Sequence, residues 1–190
     1  GRQNRQLMQY YPDWHFFSYN PKDNKVRPLE KDEIDSSTDI IFLEGEYKVP
    51  IMFSSGEYSF AWNEEKDDDG VKSSGGSLYQ FAASGAGSWA AFDQFVFDEG
   101  DYRITMRYMA QNEAGDFSLE IDGQSMTPPV AGYSEKKKLL DWQSDATIHL
   151  VRGQHRFTIR VTGKDERSTE YRISIDCVEL VKEQKQEPVE

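Results

Sequence analysis

Cysteine is almost absent: Cys177 is the only one in 190 residues. A single thiol excludes an intramolecular disulfide and a thiolate zinc cluster. Histidine is scarce too, and His15, His149 and His155 stand in no metal-binding spacing. No Gly-x-Ser-x-Gly elbow occurs. Basic residues are outnumbered, 22 against 34 acids, for a net charge of −12. That balance argues against nucleic acid and anionic membrane surfaces, which both call for a basic face. It favours cations, neutral ligands or basic partners. No apolar run approaches a membrane span, so no membrane insertion is expected. The opening residues carry no signal-peptide pattern, as expected of a mature chain or an excised piece with Gly1 left from cloning.

Aromatic residues, by contrast, make up 13% of a chain whose mean hydropathy is −0.77. That combination indicates a folded domain rather than a disordered acidic tail, and the length allows a sizeable core without disulfide staples. Residues 1–36 differ from the rest. An aromatic, extended stretch runs from Tyr10 to Tyr19, residues 20–25 have turn chemistry, and residues 26–29 can return as a second strand. This segment reads either as a hairpin or linker packed on the main domain or as an exposed aromatic platform. Residues 37–184 form the main domain and residues 185–190 a polar tail.

Strand signals recur throughout the main domain, at 39–49, 51–53, 57–62, 78–82, 92–97, 101–110, 116–122, 147–151, 154–162 and 171–181. In the clearest, Tyr102, Ile104, Met106 and Tyr108 face one way, with Arg103, Thr105 and Arg107 opposite. Asp122-Gly123 is a hairpin signal. Residues 63–70 faintly echo an EF-hand loop, but the twelfth position is Gly76 and no helices flank it, so a solvated loop is expected. Residues 130–141 read as a loop holding Lys136, Lys137 and Lys138. Gly85 to Ala90 fit a dinucleotide-binding fingerprint only formally, because a strand follows where a helix must begin. No helical period is sustained. The fold expected is all-β, an antiparallel β-sandwich of jelly-roll type.

The last strand, 171–181, places a single acid, Asp176, amid β-pattern. An unpaired buried carboxylate costs several kcal/mol or more. Upstream, Glu44 and Glu46 stand at i, i+2, on one face of a strand. Three carboxylates gathered by the fold repel one another unless a cation lies between them. A structural calcium at Glu44, Glu46 and Asp176, tying the first strand of the sandwich to the last, is therefore expected. The alternative is that both glutamates face solvent and Asp176 pairs with an arginine.

Residues 39–181 resemble the galactose-binding-like β-sandwich of carbohydrate-binding module families 6 and 35. The resemblance rests on Leu43-Glu44-Gly45-Glu46, on Ser74-Gly75-Gly76 followed by an aromatic strand, and on Glu99 to Ile104 leading to Arg107-Tyr108-Met109-Ala110. It rests also on Val151-Arg152-Gly153-Gln154-His155 followed by Ser174 to Leu180. It implies that Glu44, Glu46 and Asp176 hold a structural calcium. It implies a glycan site at the loops of one end or on the concave sheet face, where rings stack on the apolar face of a pyranose. The candidates are Tyr79, Trp142, Trp89, Asn112 and Tyr133. One departure stands out. The outer of two family tryptophans is missing, and the position of Trp142 fits the inner, core-facing one, with Lys137, Lys138 or Leu139 where the outer one belongs.

Arg103, Arg107, Arg156, Arg160 and Arg172 fall on polar strand faces. They present either a cationic face to an acidic sugar or cross-strand pairs with Asp116, Glu120 and Asp122. Cys177, within an apolar stretch, is expected to be structural. The expected function is a non-catalytic, monomeric carbohydrate-binding module, an accessory domain of a secreted, periplasmic or cell-surface carbohydrate-active protein. The alternative is a structural or protein-interaction β-sandwich without a sugar site.

Overall fold

The computed structural model describes residues 17–20, 25–28, 40–44, 52–61, 66–74, 77–96 and 98–183. Two short N-terminal strands, β1 (Phe17–Asn20) and β2 (Lys25–Pro28), pair antiparallel. The sandwich follows as β3 (Ile40–Glu44), β4 (Met52–Phe53), β5 (Glu57–Ala61), β6 (Leu78–Ala82), β7 (Trp89–Val96), β8 (Gly100–Ala110), β9 (Asp116–Ile121) and β10 (Gln124–Ser125). It continues as β11 (Lys138–Gln143), β12 (Ile148–Leu150), β13 (Gly153–Gly163) and β14 (Arg172–Lys182). No α-helix occurs among the described residues.

A five-stranded sheet has the order β10-β9-β13-β7-β4, and a seven-stranded sheet contains β11-β8-β14-β6-β5 with β12 and β3 beside that path. All pairings within the sheets are antiparallel. Period-two alternation builds the core. Tyr102, Ile104, Met106 and Tyr108 of β8 are buried against Phe117, Leu119 and Ile121 of β9 and Phe157, Ile159 and Val161 of β13. Aromatic edges bridge the two sheets. Tyr79 meets Phe92 at 5.2 Å and 81°, and Tyr108 meets Phe117 at 5.4 Å and 79°, the T-shaped geometry that ring quadrupoles favour. Asp122 and Gly123 both take positive φ, 52° and 82°, as a two-residue hairpin between β9 and β10 requires.

Two expectations are corrected. Residues 138–141 are not loop but the start of β11, which pairs with β8 from Lys138 opposite Ala110 to Gln143 opposite Thr105. The described part of the charged loop, 66–70, is not simply solvated either. Asp67 is buried, and its carboxylate accepts the backbone N–H groups of Asp69, Val71 and Leu139. Burial works to raise the Asp67 pKa, but these N–H donors carry it below the usual carboxylate range. Asp67 thus clips the loop to the first residues of β11.

β14 is where the larger sheet is irregular. One edge pairs with β8. The other pairs with β6 over Arg172–Ile175, where Ile175 opposes Tyr79, and then with β3 from Cys177, which opposes Glu44. On the β8 side the register shifts at the same point: Ile175 opposes Tyr108 and Cys177 opposes Arg107. Asp176 is the extra residue of this bulge. The core residues of β14 show the slip directly, running Ile173, Ile175, then Val178 and Leu180.

Candidate functional site

The outward side chains of β11, β8 and β14 form two rows across the larger sheet. Asp141, Arg107 and Cys177 stand in register, as do Gln143, Thr105 and Glu179. With Ser74, Met106 and Trp142 they line a groove of about 490 Å³, within the range of pockets that hold small ligands. Its polar groups include a guanidinium, two carboxylates, an amide and a hydroxyl. The Arg107 Nε–H donates to Asp141 Oδ1 at 2.7 Å and an Nη2–H to Oδ2 at 3.3 Å, so Asp141 takes one side of the guanidinium in both bonds. The Thr105 hydroxyl reaches Glu179 at 3.5 Å. Trp142 packs in part against the core from beneath.

The five ring and amide candidates do not converge. Trp142 lines this groove. Tyr79 is 1% exposed and packed edge-on to Phe92; expecting it to stack on a sugar is corrected, because neither ring face is open to a ligand. Its inward place follows from Phe81, two residues on and also buried, which shares its face. Trp89 opens β7 opposite Arg160 and is partly buried, on the outer face of the smaller sheet, since Ala90 and Phe92 take the inward positions.

Asn112 and Tyr133 do come together, at the end of the sandwich where β8 passes to β9 and β13 to β14. Asn112 is exposed and its carbonyl accepts the Thr169 N–H at 3.1 Å. Tyr133 bridges to the neighbouring Gln111. The Arg167 guanidinium lies 4.3 Å from the Tyr133 ring centre and is itself held by Asp165. One face of Tyr133 is thus already stacked. Arg167 in turn holds the Asp165 carboxyl down to about 2, chiefly through its side-chain hydrogen bond.

The three metal candidates are placed as follows. Asp176 is 0% exposed, and its Oδ2 accepts the Ser74 N–H at 3.0 Å. Backbone register sets Glu44 opposite Cys177, one residue along from Asp176. The Glu44 side chain and all of Glu46 lie outside the described residues. Among the described residues no three His, Cys, Asp or Glu side chains gather into a metal-binding group.

The arginines are ion-paired: Arg103 to Glu183, Arg107 to Asp141, Arg156 to Asp93, Arg160 to Glu120, and Arg172 to Glu113 and Glu170. Of the three acids expected as partners, Glu120 is the one in a close arginine ion pair among the described residues. Asp116 accepts the Gly132 N–H, and Asp122 binds the His155 ring and the Arg156 N–H. Cys177 is buried and, as the single cysteine of the chain, forms no intramolecular disulfide. Asp141, Gln143 and Glu179 were not foreseen as site residues. The alternation of β8 pointed Thr105 and Arg107 outward, but Asp141 lay in an expected loop and so had no face assigned.

No family model matches the chain, and no curated protein matches it in sequence. Solved structures do match in fold. A xanthan lyase from Paenibacillus superposes with a TM-score of 0.61 at 21% identity, over 75% of this chain and 13% of that one. A Podospora anserina GH26-CBM35 β-(1,4)-mannanase superposes at 0.54 and 12% identity, over 78% of this chain and 29% of that one. A family 35 carbohydrate-binding module from Clostridium thermocellum superposes at 0.50 and 11% identity, over 76% of this chain and 98% of that module. The chain thus spans less than a third of each of the two enzymes and nearly all of the module. At these identities the likeness is one of fold: this is a β-sandwich like those of the carbohydrate-binding modules.

Proposed function

We propose that the chain is a non-catalytic module that binds a glycan in the groove over the larger sheet, as an accessory domain of a carbohydrate-active protein working outside the cell. The groove is the observation that carries this reading. Its amide, hydroxyl and charged groups stand in rows over a β-sandwich whose fold is shared with modules of that kind. Sugar hydroxyls bond to such groups, and attachment to an enzyme raises effective concentration, so weak binding suffices. The Asp141 carboxylate is engaged by Arg107 rather than poised as an acid, which favours binding over cleavage. A glycan-array screen tests the reading. Binding to a defined sugar class, weakened about fivefold by Gln143→Ala for one lost hydrogen bond, is expected. Silence of a folded sample across a broad array would favour a structural or protein-binding sandwich instead.

The second part of the proposal is a structural calcium. The residues fit it: a fully buried carboxylate at Asp176, and buried Ser73 and Ser77 hydroxyls that have no hydrogen-bond partner among the described residues. Glu44 enters through the register of β3, and Glu46 follows in sequence. Hard oxygen donors suit Ca²⁺, which would neutralise the acids where β14 passes from β6 to β3. An ion bound only by the native state raises its stability, so melting with calcium and with a chelator decides the point. Identical melting temperatures sink it.

A further inference from the structure

The geometry points to Asp141 as the residue that sets the charge class of glycan the groove accepts: by engaging Arg107 it turns away anionic sugars. This rests on the glycan reading of the groove. Among the described residues Arg107 is the one arginine lining it. A guanidinium beside hydroxyl-binding groups is the usual receptor for a sugar carboxylate, because its planar fork matches two oxygens at once. Here Asp141 already sits on the Nε/Nη2 side with both of its oxygens.

An incoming carboxylate must therefore displace Asp141 or take the remaining end of the guanidinium. Displacement is unfavourable because Asp141 is tethered. It stands directly opposite Arg107 in the β8–β11 register, so its effective concentration exceeds that of a free ligand. Binding at the other end meets a guanidinium whose charge is balanced, with a second acid, Glu179, in the same groove. Two carboxylates against one guanidinium favour a neutral ligand over an anionic one.

The inference is specific to a surface pair that can be altered without touching the core. Asp141 is 69% exposed and lies on an edge strand, so Asp141→Asn leaves the fold in place. The test compares oligogalacturonate with its fully methyl-esterified form, which carries the same sugars without the charges. Binding is read by calorimetry and by the NMR resonance of the Arg107 Nε–H. The wild type is expected to leave that resonance unmoved by the free acid. Asp141→Asn is expected to bind the free acid at least about tenfold more tightly than the wild type does, as a bidentate charged contact provides, with the Arg107 resonance shifting. Asp141→Asn/Glu179→Gln guards against Glu179 swinging onto Arg107, and is expected to gain at least as much.

Two results overturn the inference: wild-type protein that binds the free acid through Arg107, or no gain for the acid in either variant. The glycan reading fails separately. If no neutral glycan shifts the Gln143 or Trp142 side-chain resonances of the wild type while Asp141→Asn gains the acid, Asp141 is the gate of a groove that is not a natural glycan site.

Discussion

Arg107 on the larger sheet and Arg160 on the smaller are equally exposed, at 38% each, and each is gripped by a carboxylate on a neighbouring strand. The acids differ. Glu120 is 16% exposed and belongs to β9, which has neighbours on both sides; Asp141 is 69% exposed and belongs to β11, at the end of its sheet. Around the Arg160 pair, on the outer face of the smaller sheet, the small residues Ala91, Ser118 and Thr158 are all buried. Around the Arg107 pair lies the groove. The two sheets share one surface chemistry, and what separates them is the regularity of the strands beneath. β13 carries its one register shift at its end, between Val161 and Gly163, whereas β14 is bulged in mid-strand at Asp176. A bulge bends its strand and sharpens the local twist, and Cys177, next to this one, lines the groove.

The largest effect is expected where the larger sheet departs from the smaller. Asp176→Ala removes a fully buried carboxylate and leaves the Ser74 N–H without its acceptor. A loss of about 2–4 kcal/mol is expected in urea unfolding. A loss below about 0.5 kcal/mol would mean that the bulge stands without its acid, and that the contrast between the sheets has another cause.

A smaller effect separates the two pairs directly. Glu120→Ala is expected to cost about 1 kcal/mol, the upper range for an ion pair near the surface, because its carboxylate is largely shielded. Asp141→Ala is expected to cost less than about 0.5 kcal/mol, since solvent screens the pair and β11 is an edge. Equal costs, read from the same denaturant series, would remove the distinction between a structural pair and a displaceable one.

Much of this contrast was legible in the residues and part was not. The three-residue step from Ile175 to Val178 breaks a period of two, which is how a bulge looks in sequence, and Asp176 falls inside it. The inward face of β8 followed from alternation alone, because it carries large apolar residues at every second position; the same spacing recurs in β9 and β13. β11 hid because Lys138-Leu139 break the alternation, which holds only over the four residues Leu140-Asp141-Trp142-Gln143. An edge strand needs only one neighbour and tolerates charge, so its pattern is weak. Tyr79 misled because a tyrosine suits both a core and a ligand platform, and only the pairing of β6 with β14 decides which. The meeting of Asn112, Tyr133 and Arg167 depends on loops that no local pattern brings together.

The smallest effect lies at the rims, where each sheet carries one histidine. His155, on the smaller sheet, is buried, with Nδ1 2.6 Å from Asp122 and Nε2 2.8 Å from the Val151 carbonyl. His149, on the larger, is exposed between Asp101 at 2.8 Å and Glu99 at 3.4 Å. The Asp101 hydrogen bond is the main cause that lifts the His149 pKa above its ordinary 6.5, and Glu99 adds to it. A group whose folded pKa is raised stabilises the fold fully below its unfolded value and loses that contribution as pH rises through the folded value. The wild type should therefore lose a small margin in melting temperature over His149→Gln as pH climbs from about 6 to above the raised pKa, the ordinary value being near 6.5. Adding salt should shrink the margin, because both acids are exposed. A margin that stays constant across that pH range would show that the two carboxylates hold the ring without its charge. The rim of the larger sheet would then depend on hydrogen bonding alone.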